Sequence, residues 1–134
     1  MKAITRSLLV LVIAAGVAVA GCASTSGGLE TVPAQEASDR IAETPGVVVL
    51  DIRTPQELQE GVIDGAVNID FYEPDFAAQL ELLDKDAPYV VYCRSGNRSA
   101  QAMELFSDLG FSDVTEIDGG IVQWTAEGFP LSNG

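Results

Sequence analysis

One short segment of the sequence combines a thiol with the residues that would activate it. Residues 92–100 read YCRSGNRSA, in which Cys93 is followed by Arg94, Gly96 and Arg98. The hydrophobic run PYVVYC that ends at the thiol predicts a strand, and the run RSAQAMELFSDLG after it predicts a helix. A thiol at such a junction lies beside the free N–H groups and the partial positive charge of a helix start.

These surroundings favour the thiolate form of Cys93. Gly96 allows a tight turn that aims backbone N–H groups at one point, and Arg94 and Arg98 add full positive charges. Each feature lowers the pKa of a thiol, and the thiolate is the nucleophilic form of cysteine. The pattern therefore predicts a nucleophile at Cys93 rather than a cysteine that only fills a core. For Arg98, a salt bridge to the acidic surface is an equally good interpretation.

The composition excludes several other kinds of site. The chain has no histidine, which removes Cys–His proteases and argues against a zinc site. All 20 acidic residues follow Cys22, and only five basic residues accompany them, so this part of the chain has a net charge of −15. Such a surface argues against nucleic acid, whose binding depends on Lys and Arg contacts to phosphate. We therefore predict no metal, no cofactor and no nucleic-acid partner.

Alternating strands and helices must position the Cys93 loop. The hydrophobic and turn patterns predict strands over 46–52, 65–70, 88–93 and 113–119, and helices over 33–42, 75–84 and 98–110. Thr54 and Pro55 are further predicted to begin a short helix. This alternation is typical of an α/β domain with a mostly parallel sheet and helices on both faces. Ligands in such folds bind beyond the carboxyl ends of strands, where Cys93 is placed.

The beginning of the chain is predicted to be a targeting segment. Lys2 and Arg6 precede the apolar run LLVLVIAAGVAVA at residues 8–20. This run is shorter than the roughly 20 residues that a membrane-spanning helix needs. We predict a secretion signal over residues 1–21, in preference to a short membrane anchor or a buried helix.

The end of the apolar run predicts how the chain is anchored. Residues 19–22 read VAGC and resemble the lipobox of bacterial lipoproteins, in which the peptide is cut before the cysteine and the cysteine receives lipid. The resemblance implies a lipidated Cys22, a flexible tether over 22–29 and an extracytoplasmic, membrane-anchored domain over 30–134. The alternative is an ordinary signal cut that leaves Cys22 free. With Cys22 lipidated, Cys93 has no partner for a disulfide within the chain.

Four motifs within residues 30–134 resemble those of single-domain rhodaneses, a family of sulfurtransferases. They are DIRTPQEL from Asp51, GVIDGAVNI from Gly61, CRSGNRS from Cys93 and DGGIVQWTAEGFP from Asp118. Each is weak alone, but four in the family's order make a specific resemblance. It implies a rhodanese-like α/β fold with a mostly parallel sheet of about five strands. The second motif has Val62 where the family usually has histidine, and we interpret that position as structural.

The resemblance also implies a reaction. Cys93 would attack the outer sulfur of thiosulfate or a similar anionic donor, hold it as a persulfide and pass it to cyanide or a thiol. The Arg94 side chain would meet the donor, while Asp51 and Arg53 would brace the loop, chiefly as an ion pair that stabilises a turn. The persulfide would be cradled by the backbone N–H groups of the loop residues Arg94, Ser95, Gly96, Asn97, Arg98 and Ser99. We interpret Trp124 as a core residue.

Other activities fit parts of the pattern. Phosphatases and arsenate reductases with a related loop have five residues between cysteine and arginine, whereas Cys93 and Arg98 are separated by four. The shorter loop favours a sulfur atom over the larger phosphoryl group. A membrane-tethered module that binds or senses sulfur without catalysis is a further alternative, and the retained cysteine in a complete loop argues for chemistry.

Overall fold

A computed structural model describes residues 27–134 of the chain. The predicted signal segment over 1–21 and the lipid site at Cys22 lie outside these residues. Within the described part, no helix is both long enough and apolar enough to cross a membrane.

The domain is built on a five-stranded sheet in which all neighbouring strands are parallel. The strands are β1 (Leu29–Val32), β2 (Val48–Asp51), β3 (Val67–Asn68), β4 (Tyr89–Tyr92) and β5 (Val114–Ile117). Their spatial order is β1-β5-β4-β2-β3, which places β4 at the centre. The prediction of an α/β domain with a mostly parallel sheet of about five strands is confirmed.

Helices cover both faces of the sheet. They are α1 (Ala34–Glu43), α2 (Pro55–Leu58), α3 (Phe76–Glu81), α4 (Asn97–Asp108) and α5 (Gly120–Ala126). One hydrophobic cluster joins the sheet to α1 and α5, and a second joins it to α3 and α4. The sheet is thus enclosed by two cores, one on each side.

The central strand β4 shows why its sequence is an unbroken apolar run. All four of its residues are buried. Tyr89 and Val91 pack into the cluster with α3 and α4, whereas Val90 and Tyr92 pack into the cluster with α1 and α5. Alternate side chains of a strand point to opposite faces, so a strand covered on both faces needs apolar residues at every position.

Strand β1 was not predicted from the sequence. Its first residue, Leu29, falls within the segment that we assigned to the tether. The strand LETV carries two polar residues and lies at the edge of the sheet, where it pairs only with β5, Leu29 opposite Val114. Its extended form is stabilised by hydrogen bonds to β5, which the local hydrophobic pattern does not record.

Candidate active site

Cys93 lies where the central strand meets the start of a long helix. It follows the last residue of β4, and α4 begins at Asn97. The turn between them contains Gly96, whose φ of 99° is in the left-handed region that favours glycine. Cys93 is only 1% exposed, so its sulfur lies beneath the loop rather than on the surface.

The sulfur of Cys93 accepts hydrogen bonds from the loop that follows it. The Gly96 N–H donates to Sγ at 3.1 Å, and the Ser99 hydroxyl oxygen lies 3.5 Å from Sγ. Burial alone would raise the pKa of the thiol. Hydrogen bonds from the backbone N–H groups of Ser99, Gly96 and Arg98 oppose this effect, and the Cys93 pKa is lowered.

The carbonyl side of the loop is fixed by the start of α5. The N–H groups of Ile121 and Val122 donate to the carbonyl oxygens of Cys93 and Arg94, each at 3.0 Å. A Cβ atom at Gly120 would lie only 2.5 Å from the Cys93 oxygen, and the φ of Gly120 is 59°. The two backbones can therefore approach this closely only with glycine at position 120. Because the carbonyl groups are held by α5, the N–H groups of the loop remain available to the sulfur.

Arg98 is held in an ion pair with α2. Its Nη1 and Nη2 atoms donate to the two carboxylate oxygens of Glu57 at 2.8 and 2.6 Å. Glu57 is itself positioned by Thr54, since each of these two residues caps the backbone N–H of the other. The hydrogen bonds from Arg98 lower the pKa of Glu57 to about 2, although partial burial alone would raise it. The hydrogen bonds from Thr54 lower this pKa further. Thr54 and Pro55 begin α2 as predicted.

The guanidinium of Arg98 also lies over the ring of Tyr72, 5.4 Å from its centroid. The salt-bridge interpretation of Arg98 thus describes its side chain, whereas its backbone N–H contributes to the lowered pKa of Cys93. Its positive charge is shared with Glu57 and is not free for an anionic ligand.

Asp51 and Arg53 form a buried ion pair at the end of β2. They are 0% and 1% exposed, and Arg53 Nη2 lies 2.7 Å from Asp51 Oδ2. Burial alone would lower the pKa of Arg53, but the Asp51 carboxylate more than compensates and raises it. Arg53 also donates to the carbonyl oxygens of Glu57 and Gly61, at 3.2 and 2.8 Å. The pair therefore braces the segment after α2, and its link to the Cys93 loop runs through Glu57 and Arg98.

Arg94 is the exposed arginine of the loop, whereas Arg98 is partly buried. Of the four arginines in residues 27–134, it alone forms no ion pair. It lines a shallow cleft together with Arg53, Val122 and Thr125. The cleft thus contains a guanidinium that forms no ion pair within residues 27–134. The residue that supplies it, Arg94, directly follows the buried Cys93 in the sequence.

The family follows from a comparison with known protein families. The model of the Rhodanese-like domain matches residues 33–127. The chain belongs to the rhodanese-like family.

Individual relatives support the same assignment. A protein from Allochromatium vinosum named a sulfurtransferase is 34% identical over 100 residues, which cover 75% of this chain and 92% of that protein. The thiosulfate sulfurtransferase GlpE from Pseudomonas aeruginosa is 45% identical over 80 residues, which cover 59% and 70% of the two chains. Among solved structures, a rhodanese-related protein from Thermoplasma volcanium superposes with a TM-score of 0.69 at 33% identity. That match covers 78% of this chain and 99% of the other.

Within this rhodanese-like domain, the remaining predicted positions take different places. Ser95 and Asn97 are exposed on the loop, whereas Ser99 is fully buried beside the sulfur. Val62 exchanges two backbone hydrogen bonds with Ser132, at 2.9 and 2.8 Å. Trp124 is buried, and its indole N–H donates to the carbonyl oxygen of Pro130, in agreement with a core position.

The sequence interpretation of this rhodanese-like site missed one buried acid. Glu116 on β5 is 4% exposed, and its Oε1 lies 2.6 Å from the Ser99 hydroxyl. The one available signal was a charged residue inside the predicted strand 113–119, where an apolar residue would be expected. Gly119 and Gly120 were quoted as part of a motif, but their contact with the Cys93 loop could not be foreseen from that motif alone.

Proposed function

We propose that the chain is a sulfurtransferase that carries sulfane sulfur as a persulfide on Cys93. The observation that carries this proposal is the Gly96 N–H at 3.1 Å from Sγ, in a turn that leads into α4. Relatives named as sulfurtransferases support the activity class. A lowered thiol pKa supports a thiolate nucleophile.

The proposed reaction has two half-steps. In the first, the Cys93 thiolate attacks the outer sulfur of thiosulfate, an Sγ–S bond forms, and the donor S–S bond breaks. The bonding electron pair leaves with sulfite, and the negative charge of the enzyme moves from Sγ to the outer persulfide sulfur. In the second, cyanide or a thiolate takes that outer sulfur and returns the electron pair to Sγ. No cofactor is needed because, in each half-step, a nucleophile bonds to the transferred sulfur while a leaving group departs with the electron pair.

Arg94 is proposed to bind the anionic part of the donor. The chain carries 20 acidic residues, and residues 27–134 contain five basic residues to offset them. Three of those five are held in ion pairs, and the ammonium of Lys85 lies over the Phe111 ring. At physiological salt the screening length is about 8 Å, so a local guanidinium outweighs distant carboxylates. Arg94 is the cation best placed to attract a dianion to Cys93.

The test is the mass of the protein after exposure to thiosulfate. We expect an increase of one sulfur atom in the wild type, its loss on addition of cyanide, and no increase in Cys93→Ser. Circular dichroism of Cys93→Ser serves as the control for folding. Undiminished turnover in Cys93→Ser would exclude the persulfide mechanism. Hydrolysis of an aryl phosphate at a comparable rate would favour a phosphatase instead.

We further propose that the domain is anchored through lipid on Cys22, outside the cytoplasm. The proposal depends on the VAGC sequence at 19–22 and on the apolar run before it. Cells that express the chain would be fed radiolabelled palmitate. Label is expected in the wild type and not in Cys22→Ala. Equal labelling of both proteins, or of neither, would contradict the anchor.

A further inference from the structure

Glu116 is a buried carboxyl group that the proposed reaction does not use. It is 4% exposed, and no ion pair within residues 27–134 includes it. Its two oxygens instead accept hydrogen bonds from hydroxyl groups, Oε2 from Thr31 at 2.8 Å and Oε1 from Ser99 at 2.6 Å. A buried acid is normally paired with a cation, so two hydroxyl partners call for an explanation.

The Ser99 hydroxyl lies between this acid and the nucleophile. Three acceptors surround its oxygen: Glu116 Oε1 at 2.6 Å, the Gly96 carbonyl oxygen at 3.3 Å and Cys93 Sγ at 3.5 Å. A hydroxyl group has one proton to donate. The distance to Glu116 is in the range of a charge-assisted O–H···O⁻ bond, and this contact is the closest of the three even when the larger radius of sulfur is taken into account. The proton therefore lies toward Glu116, and the oxygen lone pairs face the sulfur.

We propose that Glu116 is a positioning residue that holds the Ser99 proton away from Cys93 and thereby favours the persulfide-loaded site over the free thiolate. The second part of this inference rests on the proposed sulfurtransferase function, and the first part does not. The proposed effect of Glu116 on the Cys93 thiolate is opposite to that of the loop N–H groups, which stabilise the thiolate.

The preference for the loaded site follows from where the charge lies. In the free thiolate, the negative charge on Sγ faces a lone pair of Ser99 and the carboxylate behind it. When Sγ attacks the donor, the Sγ–S bond forms, sulfite leaves with the electron pair, and the charge moves one bond outward. No proton is transferred in this step. Loading thus relieves the repulsion between Sγ and the Ser99–Glu116 pair.

Few other polar groups face the Glu116 carboxylate. The facing group of β1 is the Thr31 hydroxyl, that of α4 is the Ser99 hydroxyl, and the thiol of Cys93 lies at the end of β4. The charged residues of α4 are turned elsewhere: Arg98 binds Glu57, while Glu104 and Asp108 are exposed. A change in the titration of Cys93 on replacement of Glu116 can therefore be assigned to the contact through Ser99.

The first experiment measures the rate of Cys93 alkylation by iodoacetamide against pH. It uses the full chain with Cys22→Ser, in which Cys93 is the single thiol. Glu116→Gln keeps the size of the side chain and frees the Ser99 proton for Sγ. We expect the midpoint to fall by about one to two pH units, the effect of one hydrogen bond to a charged group. Glu104→Gln is the matched control, because it removes the same charge from an exposed position, and it should leave the midpoint unchanged.

Two further variants keep the inference falsifiable if Glu116→Gln folds poorly. Ser99→Ala should move the midpoint by less than about half a pH unit, since Ser99 does not donate to Sγ in the wild type. A Ser99 that did donate to Sγ would instead raise the midpoint by about one to two units on removal. Adding Glu116→Gln to Ser99→Ala should then shift the midpoint much less than it does alone. An unchanged or raised midpoint in Glu116→Gln, or a large rise in Ser99→Ala, overturns the inference.

The second experiment separates this inference from the proposed function. The persulfide fraction is measured by mass at a fixed ratio of thiosulfate to sulfite, at a pH above both midpoints. Glu116→Gln should lower the ratio of persulfide to thiolate about tenfold or more, because it stabilises only the thiolate. Failure of every variant to form persulfide would contradict the proposed function and leave the alkylation result standing. Equal persulfide ratios beside a lowered midpoint would overturn the preference for the loaded site.

Discussion

Arg98 and Glu57, 41 positions apart in the sequence, form a two-point ion pair that ties the Cys93 loop to α2. The ion pair uses the charge of Arg98 to position the loop. Arg94 is then the loop arginine whose charge is available to a ligand. The two arginines of CRSGNRS are therefore expected to respond differently to mutation. Arg98 should govern stability and Arg94 the use of an anionic donor.

The Glu57–Arg98 pair should stabilise the fold in a pH-dependent way. The pKa of Glu57 is lowered from 4.5 to about 2, so its contribution is present above 4.5 and is lost as pH falls toward 2. A shift of that size corresponds to about 3 kcal/mol of unfolding free energy. We expect Glu57→Gln to be less stable than the wild type at neutral pH, and the difference to vanish near pH 2. Urea unfolding across this pH range is the measurement. Glu81→Gln, at an exposed position, serves as the control, and a difference independent of pH would contradict the assignment.

Replacement of Arg94 should distinguish donors by their charge. Arg94 is proposed to donate a hydrogen bond to the charged donor, and such a bond is worth about 1.5–3 kcal/mol, so Arg94→Ala should lower kcat/KM for thiosulfate roughly tenfold to a hundredfold. The activity with an uncharged polysulfide donor should fall much less, because the backbone N–H groups that would hold the persulfide remain. Both donors would be compared on both proteins in one buffer. An equal loss with the two donors would mean that Arg94 acts on the loop or the thiolate and not on the donor.

Breaking the buried Asp51–Arg53 pair should be costly. Asp51→Asn leaves a guanidinium charge that is 1% exposed without its partner. Loss of one member of such a pair costs about 3–5 kcal/mol. The free energy of unfolding in urea is the measurement. The double variant Asp51→Asn, Arg53→Met should recover part of the loss, since it removes the unpaired charge. A loss below about 1 kcal/mol in Asp51→Asn would show that solvent reaches Arg53.

Gly120→Ala should damage the Cys93 loop through a direct clash. Its new methyl group would lie 2.5 Å from the carbonyl oxygen of Cys93, and backbone atoms on both sides would have to move. Gly46→Ala is the matched control, because Gly46 has a similar φ of 73° but no atom within 4 Å of the added Cβ. Strain alone costs about 1–2 kcal/mol at either position. Sulfur transfer should be lost in Gly120→Ala and retained in Gly46→Ala. Equal activity in the two variants would contradict a fixed contact between α5 and the loop.

The position of Cys93 between a strand and a helix could be predicted because its signals are local. A strand pattern ends at Cys93, a helix pattern begins a few residues later, and Gly96 marks the turn between them. The alternation of strands and helices along the chain likewise defined a parallel sheet. The local sequence pattern is sufficient to predict features, such as this strand, turn and helix, that depend on residues close together in the sequence.

The pairings that complete the site could not be predicted in the same way. Glu57 meets Arg98 from 41 residues away, and Glu116 meets Ser99 from 17 residues away. Strand β1 exists because it pairs with β5 across most of the chain. Each contact depends on the order of strands in the sheet, and a single sequence contains no record of that order.

The burial of Cys93 also determines whether this thiol could form a disulfide between two copies of the chain. A disulfide requires two sulfur atoms about 2 Å apart, with their Cβ atoms about 4 Å apart. Cys93 is 1% exposed, and backbone groups of the Gly96 turn and α5 contact its sulfur and carbonyl oxygen. A second folded copy cannot bring its own Cys93 within that distance. Crowded copies of the chain should therefore not become disulfide-linked through this residue, even if it reacts with small sulfur compounds as proposed.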